Sequence, residues 1–119
     1  MFPLGPSGRR TATFATALAL LFFGSAWAGW AGLSAAPAPA AVVIDSFSYG
    51  PGTVTVPRGT TITWTNKDDD PHTVVSDNKL FKSPALDTDE TFAFTFNQPG
   101  TFKYYCTIHP YMQGTVIVQ

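Results

Sequence analysis

The chain has one cysteine, two histidines and, apart from its start residue, one methionine among 119 residues. A single cysteine cannot close an internal disulfide, so its thiol must pair with another chain, stay buried or be held by a metal. Basic charge is also scarce. From Ala41 onward eight acids face five bases, a net charge of −3, which removes the electrostatic basis for binding nucleic acid. Helical patterning is nearly missing as well, and no internal repeat is visible, which leaves an alternating, period-two chain.

What is present divides into three parts. Residues 11–30, "TATFATALALLFFGSAWAGW", carry no charge and follow Arg9 and Arg10, the pattern of an export signal. Cleavage after Ala28 or Ala36 would free the rest. A stretch of about 20 apolar residues can equally cross a bilayer as an anchor, so residues 1–28 are expected to be a signal peptide or a membrane tether. Either outcome takes the protein out of the cytoplasm, into the periplasm or an equivalent exported location. Residues 29–41 end in "APAPAA" and are expected to form a stiff Pro/Ala-rich spacer. Residues 42–119 form the working domain, too small to bury a large core and without a disulfide, so a bound metal would widen its stability margin.

Alternation makes this domain all-β. Val42 and Ile44, with Phe47 as a further candidate, begin it. "GTVTVPRGTTITWTN" gives a strand, a turn at residues 57–59 and a second strand with Ile62 and Trp64 on one face. "HTVVS" is a third short run, "TFAFTF" turns Phe92, Phe94 and Phe96 inward, and "TFKYYC" puts Phe102, Tyr104 and Cys106 on one face before "GTVIVQ" closes the chain. Short strands broken by turn signals predict a Greek-key β-sandwich of six to eight strands. Residues 77–90 are the least regular, a loop or short helical turn.

The scarce residues converge near the end. In "YYCTIHPYMQG", Cys106, His109 and Met112 are evenly spaced on a loop stiffened by Pro110, directly after a strand. The other histidine, His72, opens a strand behind Pro71. Each residue taken alone would be ordinary core packing. Together they are every His and Cys of the working domain and its one Met, a soft mixed set that selects copper as two imidazoles, a thiolate and a weak axial thioether. One copper ion per chain is expected, with no vacant position for a substrate. His109, with Pro110 and Tyr111, is expected to reach an apolar surface patch and form the electron port, and the Ile108 N–H is expected to reach the Cys106 sulfur. The acidic runs "DDD" at 68–70 and "DTDE" at 87–90 lack the spacing of a calcium loop and are expected to be solvated, with steering of a partner as the lesser reading.

At "PHTVV" and "CTIHPYM", and in the strand "TITWTN" and turn "QPGTFKYYC", the chain resembles the blue copper proteins of the plastocyanin and amicyanin type, the cupredoxins. The ligand loop is similar to that of amicyanins. The resemblance implies His72, Cys106 and His109 as strong ligands and Met112 as the long axial one. It departs from the family at Thr73, where Asn is common and ties the two ligand loops together, and at Ile108, where Pro is common. It implies a monomeric one-electron carrier rather than an enzyme, with redox partners such as a c-type cytochrome, an oxidase or a dehydrogenase. The alternative function is copper storage or delivery, which the absence of Met-rich or paired-Cys surfaces disfavours.

Overall fold

The computed structural model describes residues 35–119. The export or anchor segment and most of the spacer lie outside the described residues. Eight strands run in order: β1 (Ala40–Asp45), β2 (Ser48–Gly50), β3 (Thr53–Val56), β4 (Thr60–Asn66), β5 (Val75–Ser76), β6 (Thr91–Phe96), β7 (Gly100–Tyr105) and β8 (Gln113–Val118). No helix occurs among the described residues. The first strand thus begins at Ala40, two residues inside the expected spacer.

Two four-stranded sheets face each other, one in the order β2-β1-β4-β6 and the other β3-β8-β7-β5. Strands β1 and β4 pair in parallel, as do β3 and β8, and the remaining pairs are antiparallel. Alternation sets which side chains fill the space between the sheets. On β4 it turns Thr60, Ile62, Trp64 and Asn66 inward, and on β8 Gly114, Val116 and Val118. Trp64 stands opposite Val42 on one neighbour and Phe92 on the other. Its ring meets Phe81, Phe92, Phe96 and Tyr104. Phe96 is fully buried, whereas Phe92, Phe94 and Phe102 are half-buried and pack against the core from its margin. Burying large aromatic and aliphatic side chains here supplies most of the driving force for folding.

Gly114 is required by this packing. It lies opposite Tyr104, and a Cβ at that position would overlap the tyrosine ring. Tyr104 can therefore lie flat across β8 and close the core beneath Cys106.

Three local differences from the sequence reading have physical causes. Phe47 is not a strand residue. It and Ser46 take left-handed backbone conformations, φ 56° and 52°, in the tight turn joining β1 to β2. The run "HTVVS" contributes only a two-residue strand, because the chain at His72 instead pairs with Leu86 through the reciprocal backbone bonds of an isolated bridge. Residues 77–90 hold turns and such bridges, with no helical turn.

Candidate metal centre

Strand direction decides which side chains meet. β4 ends at Asn66 and leads into the loop that delivers His72, while β7 ends at Tyr105 and leads directly to Cys106. Both ends lie at the same end of the sandwich, where β8 begins. The return loop is closed by the Cys106 N–H donating to the Met112 carbonyl at 3.1 Å and the Met112 N–H donating to the His109 carbonyl at 2.9 Å. A seven-residue loop pinned this way brings Cys106, His109 and Met112 to one place.

Nδ1 of His72 lies 3.8 Å from the Cys106 sulfur and Nδ1 of His109 lies 3.9 Å from it. The three donor atoms all fall within 4.8 Å of one another. A first-row ion held at about 2.0 Å by nitrogen and 2.3 Å by sulfur in a plane would set nitrogen and sulfur roughly 3.7 Å apart, so the spacing fits one ion. Cys106, His72 and Met112 are buried, and His109 alone is half-exposed. Two imidazoles, a thiolate and a thioether form the donor set of copper electron-transfer sites.

The sulfur is prepared for that role. Burial raises the Cys106 pKa, but the backbone N–H groups of Thr73 and His109 and the two imidazoles more than offset it, bringing the thiol down to about 6. The Thr73 N–H donates to the sulfur at 3.3 Å. The sequence reading put a backbone donor at Ile108. The backbone N–H bonded to the sulfur is that of Thr73, on the other ligand segment. Ile108 itself presents an exposed side chain on the loop.

Thr73 also joins the two ligand segments. Its Oγ1 accepts the Thr107 N–H at 2.7 Å and lies 2.9 Å from the Thr107 hydroxyl. A hydroxyl at this position therefore makes the loop-to-loop connection for which the related proteins commonly have an amide. Beneath it, the Tyr49 hydroxyl donates to the Thr73 carbonyl at 2.6 Å and ties β2 to the same segment.

His72 is fixed from behind. With Nδ1 turned toward the sulfur, Nε2 is the N–H and donates to Asp68 Oδ2 at 2.8 Å. The same carboxylate accepts the Ser46 N–H at 2.7 Å and the Phe47 N–H at 2.9 Å, which holds the left-handed turn in place. Burial pushes the Asp68 carboxyl up, and the Phe47 N–H, the His72 ring and the Ser46 N–H together bring it below the usual carboxylate range. The held turn sets the Phe47 ring edge-on to both imidazoles, with centroids 5.3 Å from His72 and 5.1 Å from His109. Sequence reasoning missed both Asp68 and Phe47. The first was hidden in an acidic run that reads as solvated, and Asp69 and Asp70 are indeed exposed. The second lies 21 residues from the carboxylate that positions it.

Fold and donor set together define a single-copper β-sandwich that passes electrons and turns over no substrate. The chain belongs to the cupredoxin-like family, whose domain model matches residues 14–118. It is similar to amicyanin from Paracoccus versutus, 37% identical over an alignment of 89 residues that covers 70% of this chain and 67% of that one. It is 35% identical to amicyanin-alpha from Methylorubrum extorquens, over 92% of this chain and 99% of that protein. Among solved structures, a purple cupredoxin from Nitrosopumilus maritimus overlays 67% of this chain and 99% of its own with a TM-score of 0.63 at 37% identity.

Proposed function

We propose that the protein carries single electrons between redox proteins outside the cytoplasm, accepting and releasing them at His109. Bound copper supplies the one-electron couple; the protein's part is to hold the donors still and offer one exit. The observation that carries this reading is the difference in exposure within the donor set, in which His109 alone reaches the surface while the thiolate, His72 and Met112 are enclosed. Donors fixed by the Asp68 bond to His72 and by the backbone bonds that close the loop favour small rearrangement between oxidation states and disfavour delivery, which needs donors that open and exchange.

Pro110 and Tyr111, both exposed, extend the surface beside the His109 ring, and Tyr111 stands edge-on to it with centroids 6.2 Å apart. These three residues form the port. Thr73 couples the two ligand segments and bonds the thiolate, so it sets the potential without binding metal. Arg9, Arg10 and the uncharged run 11–30 support export, with the protein either released or tethered to the outer face of the inner membrane. Partners of this class are a c-type cytochrome, an oxidase, a nitrite-reducing enzyme or a dehydrogenase.

The test is the visible spectrum of the chain after addition of Cu(II). An intense blue band that is bleached by a one-electron reductant and restored by an oxidant supports the carrier. Binding without the band, or a band that cannot be cycled, overturns it.

A further inference from the structure

The turn between β1 and β2 is built against its own preferences. Asp45 pairs with Ser48, so Ser46 and Phe47 alone make the turn, and both are left-handed, with φ 52° and 56°. Two-residue hairpin turns of this hand favour Asn-Gly or a similar pair, because glycine has no side chain to meet the backbone there. A bulky aromatic residue in that conformation is an outlier. Strain of this kind persists only where the surroundings hold it, and it gathers at functional sites.

Asp68 does the holding. Its Oδ1 accepts the Ser46 N–H, and its Oδ2 accepts both the Phe47 N–H at 2.9 Å and the His72 Nε2–H at 2.8 Å. Its side chain is only 10% exposed, although Asp69 and Asp70 beside it are open to solvent. What the turn gains is the position of a ring. The Phe47 ring stands perpendicular to both imidazoles, at 89° to His72 and 87° to His109. Phe47 is partly exposed, and the His72 ring it touches is wholly buried, so Phe47 is a layer between solvent and that imidazole. The Cys106 sulfur, 3.8 Å from Nδ1 of the same imidazole, is enclosed with it.

We infer that Phe47, latched by Asp68, closes the metal centre to small anions from solvent, so that the site exchanges electrons and takes no outside ligand. The inference rests on the electron-carrier reading and adds what keeps the site to that one task. An apolar shell around a metal site controls which solvent species reach it. Glycine at position 47 would suit the turn and leave the imidazoles uncovered. Phenylalanine does the reverse, and the two N–H bonds to Asp68 offset the strain it brings. One carboxylate thus fixes a ligand ring and its cover together, and neither moves without disturbing the other. Asp68 acts here as a positioning residue, and Phe47 decides which species can approach the donors.

The experiment compares Phe47→Gly with the parent in the full chain. Glycine accepts the left-handed conformation, so the fold, the Asp68 bonds and the blue band should be kept while the cover is lost. In the copper-free chain, alkylation of Cys106 by iodoacetamide should run at least about tenfold faster in the variant, with the denaturant midpoint close to that of the parent. In the copper-loaded chain, azide should shift the blue band of Phe47→Gly and leave that of the parent unchanged. Asp68→Asn keeps the ring but sets an amide NH2 against one of the N–H groups that Asp68 now accepts, and it should speed alkylation by about threefold. Equal alkylation rates in Phe47→Gly and the parent, a rate that rises only in step with a lowered midpoint, or azide acting alike on both overturns the inference and leaves the carrier reading intact. A parent that forms no blue band able to cycle overturns the carrier reading instead, a failure the copper-free measurement does not share.

Discussion

His72 and His109 stand 5.0 Å apart, ring centre to ring centre, yet they are held in opposite ways. His72 is wholly buried, its Nε2 bonds Asp68, and its backbone N–H and carbonyl both pair with Leu86. Behind it, Asn66 is buried too, donating to the Asp70 and Leu86 carbonyls at 2.8 Å each and accepting the Asp68 N–H at 2.9 Å. His109 stands on a loop closed by two backbone bonds and is open to solvent on one side. A site meant only to retain an ion would gain from enclosing both rings. A site meant to exchange electrons needs one ring fixed and the other reachable, because the partner must come close without disturbing the donors.

The sulfur between them is the point at which the comparison breaks most completely. Cys106 faces both imidazoles and accepts the Thr73 N–H, so Cys106→Ser removes the thiolate that gives the colour and the shared donor at once. The intense blue absorption should disappear entirely. A serine variant that remains intensely blue would refute the donor assignment on both sides.

The buried side should respond next, through stability. Asn66→Ala removes three hydrogen bonds and leaves the Asp70 carbonyl and the Asp68 N–H without their partner, while the Leu86 carbonyl keeps only the His72 N–H, at a cost of about 3 kcal/mol. Denaturant unfolding of the copper-free chain measures this. A loss below about 1 kcal/mol would mean that the segment behind His72 is no better fixed than the loop behind His109.

The two sides also differed in how far the sequence disclosed them. The exposed loop was legible because its chemistry is packed into seven residues, and scarcity pointed to Cys106, His109 and Met112 without any knowledge of three-dimensional contacts. The strand alternation likewise placed Ile62, Trp64, Tyr104 and Cys106 on the faces where they are found. The support behind His72 was not legible. Asp68 looks like its exposed neighbours Asp69 and Asp70, and only the left-handed turn at Ser46 and Phe47, 22 and 21 residues away, makes it different. Residue type also does not say which N–H reaches the sulfur, so the donor expected at Ile108 is found at Thr73, 33 residues from Cys106.

A smaller effect is expected at the axial position, on the loop side but beneath the surface. Met112 is buried, and its backbone bonds to Cys106 and His109 do not depend on its side chain, so the loop should close in Met112→Gln as well. An amide oxygen is a harder donor than a thioether and favours Cu(II) over Cu(I). The variant should keep copper and lower the reduction potential by about 60 mV or more, a tenfold change in a one-electron equilibrium. Loss of all copper would show that the thioether holds the ion rather than tunes it.

The smallest change in the protein itself, and the sharpest test of the comparison, is a charge on the open side. Tyr111 is 70% exposed and touches His109 only through its ring edge, so Tyr111→Lys leaves the donors, the two closing backbone bonds and the network behind His72 in place. Spectrum, potential and unfolding free energy should match the parent. Transfer to a protein partner should not, because the lysine adds a hydrated charge to an apolar contact, slowing the bimolecular rate about three- to tenfold. Leu80→Lys supplies the control. Leu80 is 46% exposed and lies beside Asn97 and Gln98, at the end of the sandwich away from the metal, so the same charge there should leave the rate almost unchanged. Equal slowing by the two lysines would make the effect one of overall charge and would take the port away from His109. Slowing by Tyr111→Lys alone would tie electron exchange to the one imidazole that the fold leaves open.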